Sequence, residues 1–165
     1  MALTLHTSLG DIKLELYCQD APKACKNFLA LCASDYYNGL TFHRNIKGFL
    51  IQGGDPTGKG KGGESIYGSL FENEIASHLK HDKRGVLSMA NMGKPNTNGS
   101  QFFITYAKHP QLNGAYTIFG RIVDGMDTLD KMEKEPVGEK HRPVNPIVIE
   151  RVTIHANPIA ENESS

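Results

Sequence analysis

The sequence has no tryptophan, few cysteines, no excess of either charge and no long apolar run. Its 18 Lys and Arg balance 18 Asp and Glu, so nothing in the net charge favours direct binding to nucleic acid. A membrane-spanning helix needs about 18 or more consecutive apolar residues, and the chain contains no such stretch. We therefore expect neither a nucleic-acid partner nor a membrane anchor.

The three cysteines are Cys18, Cys25 and Cys32, an odd number without the spacing of a zinc site. The N-terminal residues alternate between apolar and polar, which is typical of a strand and unlike a secretory signal. Without such a signal, free thiols in a reducing compartment are the expected state. This reasoning predicts residence in the cytoplasm, the nucleus or both, and a monomer is expected.

Motifs for metal or cofactor binding are also missing. His78 and His81 are spaced as a possible ligand pair, but no third ligand accompanies them, so we expect exposed loop residues. The pattern Gly58-x-Gly60-x-x-Gly63 formally matches a dinucleotide fingerprint. No strand leads directly into it and no helix follows it, so a surface loop is the better interpretation. No metal and no cofactor are expected.

What the chain does contain is a series of short strand patterns with turn residues between them. A single domain over residues 1–157 with a polar tail at 158–165 is predicted. The following list gives the strand candidates: residues 3–5, 12–16, 41–44, 49–52, 86–90, 101–106, 117–123, 147–149 and 152–154. Two helices are predicted, one from Pro22 to near Ser34 and one over 124–134. This pattern suits an all-β barrel or a sandwich, and periodicity does not choose between them.

The stretch from Ser88 to Phe103 is the most informative part of the sequence. It begins and ends with strand-like pieces, and its centre is rich in Gly, Pro and Asn. Side-chain amides therefore lie close to the aromatic pair Phe102-Phe103. Such a combination suits a groove that grips peptide backbone and an apolar ring.

Arg44 is the single charge that we select as a candidate. It follows Phe42 by two positions, so strict strand alternation would place both side chains on one face. If Phe42 borders a groove or core rim, Arg44 does too. The alternative is an ordinary surface salt bridge, because most arginines are exposed.

Five ordered blocks of the sequence resemble the cyclophilins: residues 42–44, 49–55, 62–68, 88–91 and 96–104. The resemblance extends over about residues 2–157. It implies a closed eight-stranded antiparallel β-barrel capped by two α-helices. It also implies peptidyl-prolyl cis-trans isomerase activity, which rotates X–Pro peptide bonds in protein substrates and assists folding or the remodelling of assemblies.

The resemblance assigns roles to individual residues. Arg44 would act on the prolyl amide, while Gln52 and Asn91 would hold the flanking backbone. The other residues would bind the proline ring or line the groove: Phe49, Leu50, Gly60, Ala90, Met92, Gln101, Phe103, Gln111, Leu112 and Tyr116. Proline-containing peptides or loops are the implied partners.

The chain departs from the family pattern at several of these positions. Tyr116 stands where the most active members have His, and Gln111 stands where cyclosporin-sensitive members have Trp, so weakened cyclosporin binding is expected. Leu50 replaces the usual Met, a change that conserves volume. Lys94 is one residue more than the family has in the turn after Asn91, and this turn either bulges outward or shifts Asn91 and Met92.

Further blocks resemble one subtype of the family, the peptidyl-prolyl isomerase-like three proteins: residues 3–7, 27–33, 36–39, 42–46 and 153–158. These are short single-domain members associated with the spliceosome, so spliceosomal proteins are possible partners. The subtype and the departures also allow a second hypothesis. In it the groove is a weakly active or inactive module that recognises a proline-containing loop within a spliceosome-like complex.

Overall fold

The computed structural model describes residues 1–155, and the predicted domain end at residue 157 and tail at 158–165 lie outside them. The described residues form eight strands: β1 (Ala2–Thr7), β2 (Gly10–Leu16), β3 (Arg44–Ile46), β4 (Leu50–Gly53), β5 (Val86–Met89), β6 (Phe102–Thr105), β7 (Ile118–Asp124) and β8 (Ile149–His155). The helices are α1 (Pro22–Ala33) and α2 (Met126–Lys134), with short 3₁₀ turns at Pro110–Leu112 and Glu139–His141. No helix among these residues is long and apolar enough to cross a membrane.

All eight strands belong to one antiparallel sheet with the order β3-β4-β6-β5-β7-β2-β1-β8. The sheet curls until the chain just before β3 meets the chain leading into β8. A bridge between Thr41 and Val148 joins them, supported by the Phe42 N–H donating to the Ile147 carbonyl at 3.0 Å. The eight-stranded barrel with two helices is thereby confirmed, and its closure rests on this short bridge.

The barrel interior is filled from the alternating strands that the sequence predicted. Leu3 and Leu5 on β1 and Ile12 and Leu14 on β2 are fully buried, because every second side chain points inward. Aromatic rings complete the core at one end, where Phe28 of α1 lies 5.2 Å from the Phe102 ring, centroid to centroid. Each such buried side chain contributes roughly 1.5–3 kcal/mol to folding.

Helix α1 begins where Pro22 predicts, although no side chain of its own sequence caps it. Its free amides are bonded instead by Glu74 from a distant loop. The Glu74 carboxylate accepts from the N–H groups of Lys23 at 3.1 Å and Ala24 at 2.9 Å. A carboxylate at this end of a helix also interacts favourably with the helix dipole.

Several predicted element boundaries were wrong. The strand expected at 41–44 starts only at Arg44, because residues 40–42 pair with residues 147–149 instead of with β4. The two strands expected at 147–149 and 152–154 are one, β8. The second helix begins two residues later than expected, after Gly125 at a φ of 106°.

His81 is a further correction, since it is fully buried and not an exposed loop residue. Its lysine-rich neighbours suggested exposure, but the ring is buried and hydrogen-bonded to Asn113.

The cysteines are free thiols, with Cys25 and Cys32 buried and Cys18 exposed. Burial raises the pKa of Cys32 to about 12, so this thiol stays protonated and packs as a small apolar side chain.

Candidate active site

A second, smaller apolar cluster lies on the outside of the barrel. Its buried members are Leu50, Ala90, Phe103 and Leu112, and Phe49 and Tyr116 pack against it. The buried members come from β4, from the residue that follows β5, from β6 and from the 3₁₀ turn. The Phe103 and Tyr116 rings meet edge to face with centroids 5.4 Å apart. The result is a ring-sized apolar pocket.

Sheet register explains why the pocket faces outward. Arg44, Gln52 and Phe103 are consecutive partners across β3, β4 and β6, so their side chains share one face. The neighbouring row, which contains Ile51 and Ile104, belongs to the barrel core. Alternation along each strand therefore separates the groove from the core.

Phe42 does not share the face of Arg44, so that prediction was wrong. Phe42 is buried in the barrel core, where its ring lies 6.0 Å from that of Phe102. Strict alternation fails because regular β structure begins only at Arg44. Arg44 nevertheless borders the groove, as expected, through its register with Gln52 and not through its spacing from Phe42.

A chain of hydrogen bonds holds the Arg44 guanidinium beside the pocket. Arg44 Nη1 lies 3.4 Å from Gln52 Oε1, and Gln52 Nε2 donates to Gln101 Oε1 at 2.9 Å. Gln101 Nε2 in turn donates to the Gly62 carbonyl at 2.8 Å. The backbone under Arg44 is fixed as well, because buried Asn45 donates to the Met132 carbonyl of α2 at 2.7 Å.

His81 supports the floor of the pocket from behind. Its ring stacks on Phe103 with centroids 5.9 Å apart and an interplanar angle of 19°. Asn113 Oδ1 accepts from both the His81 backbone N–H at 2.7 Å and Nδ1 at 2.9 Å, which places a proton on Nδ1. Burial lowers the pKa of His81 and outweighs the opposing effect of the Asn113 hydrogen bond. No sequence pattern predicted this contact.

The glycine-rich loop forms one rim of the groove and is organised by Asp55. Burial opposes ionisation of this carboxylate, but hydrogen bonds from Thr57, Gly62 and Gly60 together lower its pKa. Gly60 adopts a φ of 89°, and a Cβ there would lie 3.3 Å from the ring of His43. A side chain at this position would therefore be strained and crowded.

Two clefts open on either side of Asn91. The larger, of about 360 Å³, is bounded by the glycine-rich loop, Leu70, Ala90, Met92 and Gln101. The smaller, of about 130 Å³, lies between the turn after Asn91 and Tyr116. Leu70 borders the larger cleft but was missed from the sequence, because it lies just outside the block 62–68 and no local pattern shows that its loop reaches the cleft. Asn91 is held between the clefts, with Nδ2 donating to the Ala115 carbonyl at 3.0 Å.

The geometry combines a cation, amides and an apolar pocket on one face. The profile described as "Cyclophilin type peptidyl-prolyl cis-trans isomerase/CLD" matches residues 2–154. The chain belongs to the cyclophilin family. Its activity is therefore peptidyl-prolyl cis-trans isomerisation, and the alternative of a weakly active or inactive recognition module is not favoured.

Individual relatives of this cyclophilin match its sequence along nearly the whole chain. The protein named "Peptidyl-prolyl cis-trans isomerase-like 3" from Gallus gallus is 64% identical, covering 97% of this chain and 99% of its own. The Homo sapiens protein of that name is 62% identical, with 98% and 100% covered. These matches confirm the resemblance to the isomerase-like three subtype.

Solved structures of a Cryptosporidium parvum cyclophilin-type isomerase match the fold. One has 59% identity and a TM-score of 0.92, covering 95% of this chain and 98% of that one. Another was obtained in the presence of the dipeptide Ala-Pro, with 58% identity, a TM-score of 0.92 and coverage of 95% and 100%.

The structure brings most of the predicted site residues together. The outward cluster, the hydrogen-bond chain and the two clefts contain all of them except Gln111. Gln111 is exposed on the 3₁₀ turn, where Nε2 lies 3.2 Å from His109 Nδ1. Met92 is 63% exposed at the cleft rim.

The extra residue Lys94 is accommodated in an exposed turn. Thr97 Oγ1 accepts from the Met92 N–H at 2.9 Å and donates to the Lys94 carbonyl at 2.8 Å. Asn91 Oδ1 accepts from the Gly93 N–H at 2.9 Å. These bonds hold the turn together next to Asn91, which lies between the two clefts.

Proposed function

We propose that Arg44 is the catalytic group of this prolyl isomerase and that the outward apolar cluster holds the proline ring. The observation that supports this most strongly is the register of Arg44 with Gln52 and Phe103 across β3, β4 and β6. It sets a guanidinium beside a ring-sized apolar pocket. A proline in the pocket formed by Leu50, Phe103 and Leu112 would present its amide nitrogen to Arg44.

The chemistry requires no covalent intermediate. Rotation about a peptide bond faces a barrier of roughly 18–20 kcal/mol because amide resonance must be broken. In the twisted amide the nitrogen lone pair is localised, and a hydrogen bond from Arg44 to that nitrogen is stronger than to the planar form. An interaction that strengthens in the transition state lowers the barrier, whereas equal binding of all forms does not.

Gln52 and Asn91 are proposed to grip the flanking peptide backbone. A side-chain amide has two N–H donors. Gln52 uses one toward Gln101, and Asn91 uses one toward the Ala115 carbonyl. The second donor of each amide is the group that would bind a peptide carbonyl. Both amides are thus oriented before substrate arrives, which reduces the entropy lost on binding.

A protease-coupled assay with an Ala-Pro peptide tests the proposal. Uncatalysed rotation takes about 10–100 s at 25 °C, so catalysis is easily resolved. We expect a rate that rises with protein concentration and is lost in Arg44→Ala. The matched control is Lys13→Gln on β2, an exposed cation outside the groove, which should keep the unsubstituted rate. A rate equal to the uncatalysed one at all protein concentrations would contradict the proposal.

We also propose spliceosomal proteins as partners, on the basis of the subtype resemblance. The expected ligand is a proline-containing loop within the assembly. Purified protein added to nuclear extract should co-sediment with assembled spliceosomes, and a proline peptide that fills the groove should release it. Co-sedimentation that the peptide leaves unchanged would place the contact outside the groove.

Residence in the cytoplasm, the nucleus or both is proposed on the state of the thiols. Cys18, Cys25 and Cys32 are all free. A fluorescent fusion observed in cells tests the location, and accumulation in the secretory pathway would contradict it.

A monomer is proposed as well, and analytical ultracentrifugation should give the mass of one chain.

A further inference from the structure

We propose that the smaller cleft beside Asn91 selects substrates that have an acidic side chain near the proline. We call it the Lys94 cleft, and the residues that matter here are Asn73, Asn91, Lys94 and Tyr116. The inference rests on the proposed function of the groove, because it concerns the peptide that the same site binds.

The Lys94 cleft adjoins the proposed proline pocket through Tyr116. Tyr116 lines the cleft and also packs against the apolar cluster that contains Phe103. Asn91 lines both this cleft and the larger one. Because an extended chain advances about 3.3–3.6 Å per residue, a side chain within two residues of a bound proline would reach it.

The polar groups of the cleft are suited to an anion. Lys94 contributes an ammonium and Tyr116 a hydroxyl. Asn73 already accepts from Asn98 Nδ2 at 2.9 Å through its amide oxygen, so the group that it can offer a ligand is its NH₂. These three groups are donors, and a carboxylate has only acceptors.

The charge distribution around the groove supports the same conclusion. Lysines and arginines equal acidic residues in the chain as a whole. Among the described residues that line the two clefts, however, the charged side chains are Lys61 and Lys94, and no carboxylate is present. Arg44 adds a third cation at the groove. An acidic substrate residue would meet attraction here, and a basic one repulsion.

The cleft wall is ordered before any ligand binds. Thr97 and Asn91 hold the turn that carries Lys94, and Asn96 Oδ1 accepts from the Asn73 N–H at 3.0 Å. The volume of about 130 Å³ corresponds to about four waters at roughly 30 Å³ each. That space accommodates the end of an Asp or Glu side chain.

The experiment compares kcat/KM for matched peptides around an Ala-Pro core. Glu or Gln is placed in turn at each of the two positions before and the two after this core, and each rate is divided by the uncatalysed rate of the same peptide. At one position we expect Glu to exceed Gln by about two- to fivefold, the size of a solvent-exposed ion pair. Near 1 M salt the ratio should approach one.

Two substitutions make the result specific to Lys94. Lys94→Gln should bring the Glu to Gln ratio to one, and Lys94→Glu should reverse it so that Gln is favoured. The matched control is Lys13→Gln, which removes the same charge from β2, outside the groove, and should keep the ratio of the unsubstituted protein.

Failure of the inference and failure of the proposed function give different results. If Gln peptides are turned over but Glu is favoured at no position, or if the preference persists in Lys94→Gln, the acidic-substrate inference is wrong and the isomerase groove stands. If neither kind of peptide is turned over, the proposed function fails and this inference fails with it.

Discussion

Arg44 and Gln52 are direct partners across the β3–β4 ladder, with Arg44 Nη1 lying 3.4 Å from Gln52 Oε1. A bond of this length orients the guanidinium without immobilising it. The Gln101 and Gly62 contacts that follow make Gln52 itself well ordered. Amide side chains, and not a carboxylate, thus position the proposed catalytic cation. A carboxylate would form an ion pair with the guanidinium and compete with the substrate for it.

Gln52→Ala should lower kcat/KM by about 10- to 100-fold, because a hydrogen bond to a charged group is worth about 1.5–3 kcal/mol. Gln101→Ala removes two bonds between neutral groups, to Gln52 and to the Gly62 carbonyl, and leaves the bond between Gln52 and Arg44 in place. Because Gln101 reaches Arg44 only through Gln52, and a bond between neutral groups is worth about 0.5–1.5 kcal/mol, the cost should be only about two- to tenfold. Protease-coupled kinetics measure both. If Gln101→Ala lowers kcat/KM more than Gln52→Ala does, the proposal that Gln101 acts on Arg44 only through Gln52 is wrong.

Tyr116 should contribute mainly through its ring when the peptide is neutral. Tyr116→Phe keeps the edge-to-face contact with Phe103, so kcat/KM should stay within about twofold. Tyr116→Ala removes the contact, worth about 0.5–1.5 kcal/mol, and should lower kcat/KM by about two- to tenfold. If Phe and Ala at this position have equal effects, the hydroxyl is the important group and the ring is not.

Stability should decrease as the pH falls below 6.5, the ordinary pKa of histidine. Burial lowers the pKa of His43 and of His81 in the folded protein, so the unfolded chain takes up protons there that the folded chain does not. As the pH decreases, the free energy of unfolding therefore decreases too, by at most about 1.4 kcal/mol per pH unit for each histidine.

Urea unfolding between about pH 7.5 and about pH 5 measures this slope. His43→Asn and His81→Asn should each reduce it. A free energy of unfolding that stays constant or rises toward acid would show that these histidines accept protons as readily in the folded state as in the unfolded one.

Gln111→Trp should strengthen cyclosporin binding. Gln111 is exposed on the 3₁₀ turn next to buried Leu112, so a larger ring there has room and would extend the apolar surface of the groove. We expect about a tenfold or greater decrease in Kd, equivalent to about 1.4 kcal/mol, measured by calorimetry. An unchanged Kd would mean that this position does not decide the affinity.

The sequence predicted the strands well where one face is buried. β1 and β2 follow their alternating patterns, and the barrel followed from the resemblance. The closure through Thr41 and Val148 was not predictable in detail, because it depends on hydrogen bonds between segments more than 100 residues apart. Local patterns contain no information about such pairing.

The motifs predicted the residues that line the candidate site. They did not predict the residues and hydrogen bonds that hold those residues in place. Arg44, Gln52 and Phe103 were identified from the blocks that carry them. His81 behind Phe103 and the amide chain beyond Gln52 were missed, because a histidine among lysines gives no sign of burial. Leu70 was missed for a different reason, since only the fold brings its loop to the cleft.

The central claim is that Arg44 accelerates rotation of a bound X–Pro bond. Exchange NMR of an Ala-Pro peptide with the unsubstituted protein and with Arg44→Ala measures binding and turnover together. The account predicts that the variant still binds the peptide but loses about 10²–10³ in turnover rate, the usual loss when one transition-state donor is removed. A folded Arg44→Ala variant with undiminished exchange would contradict the account.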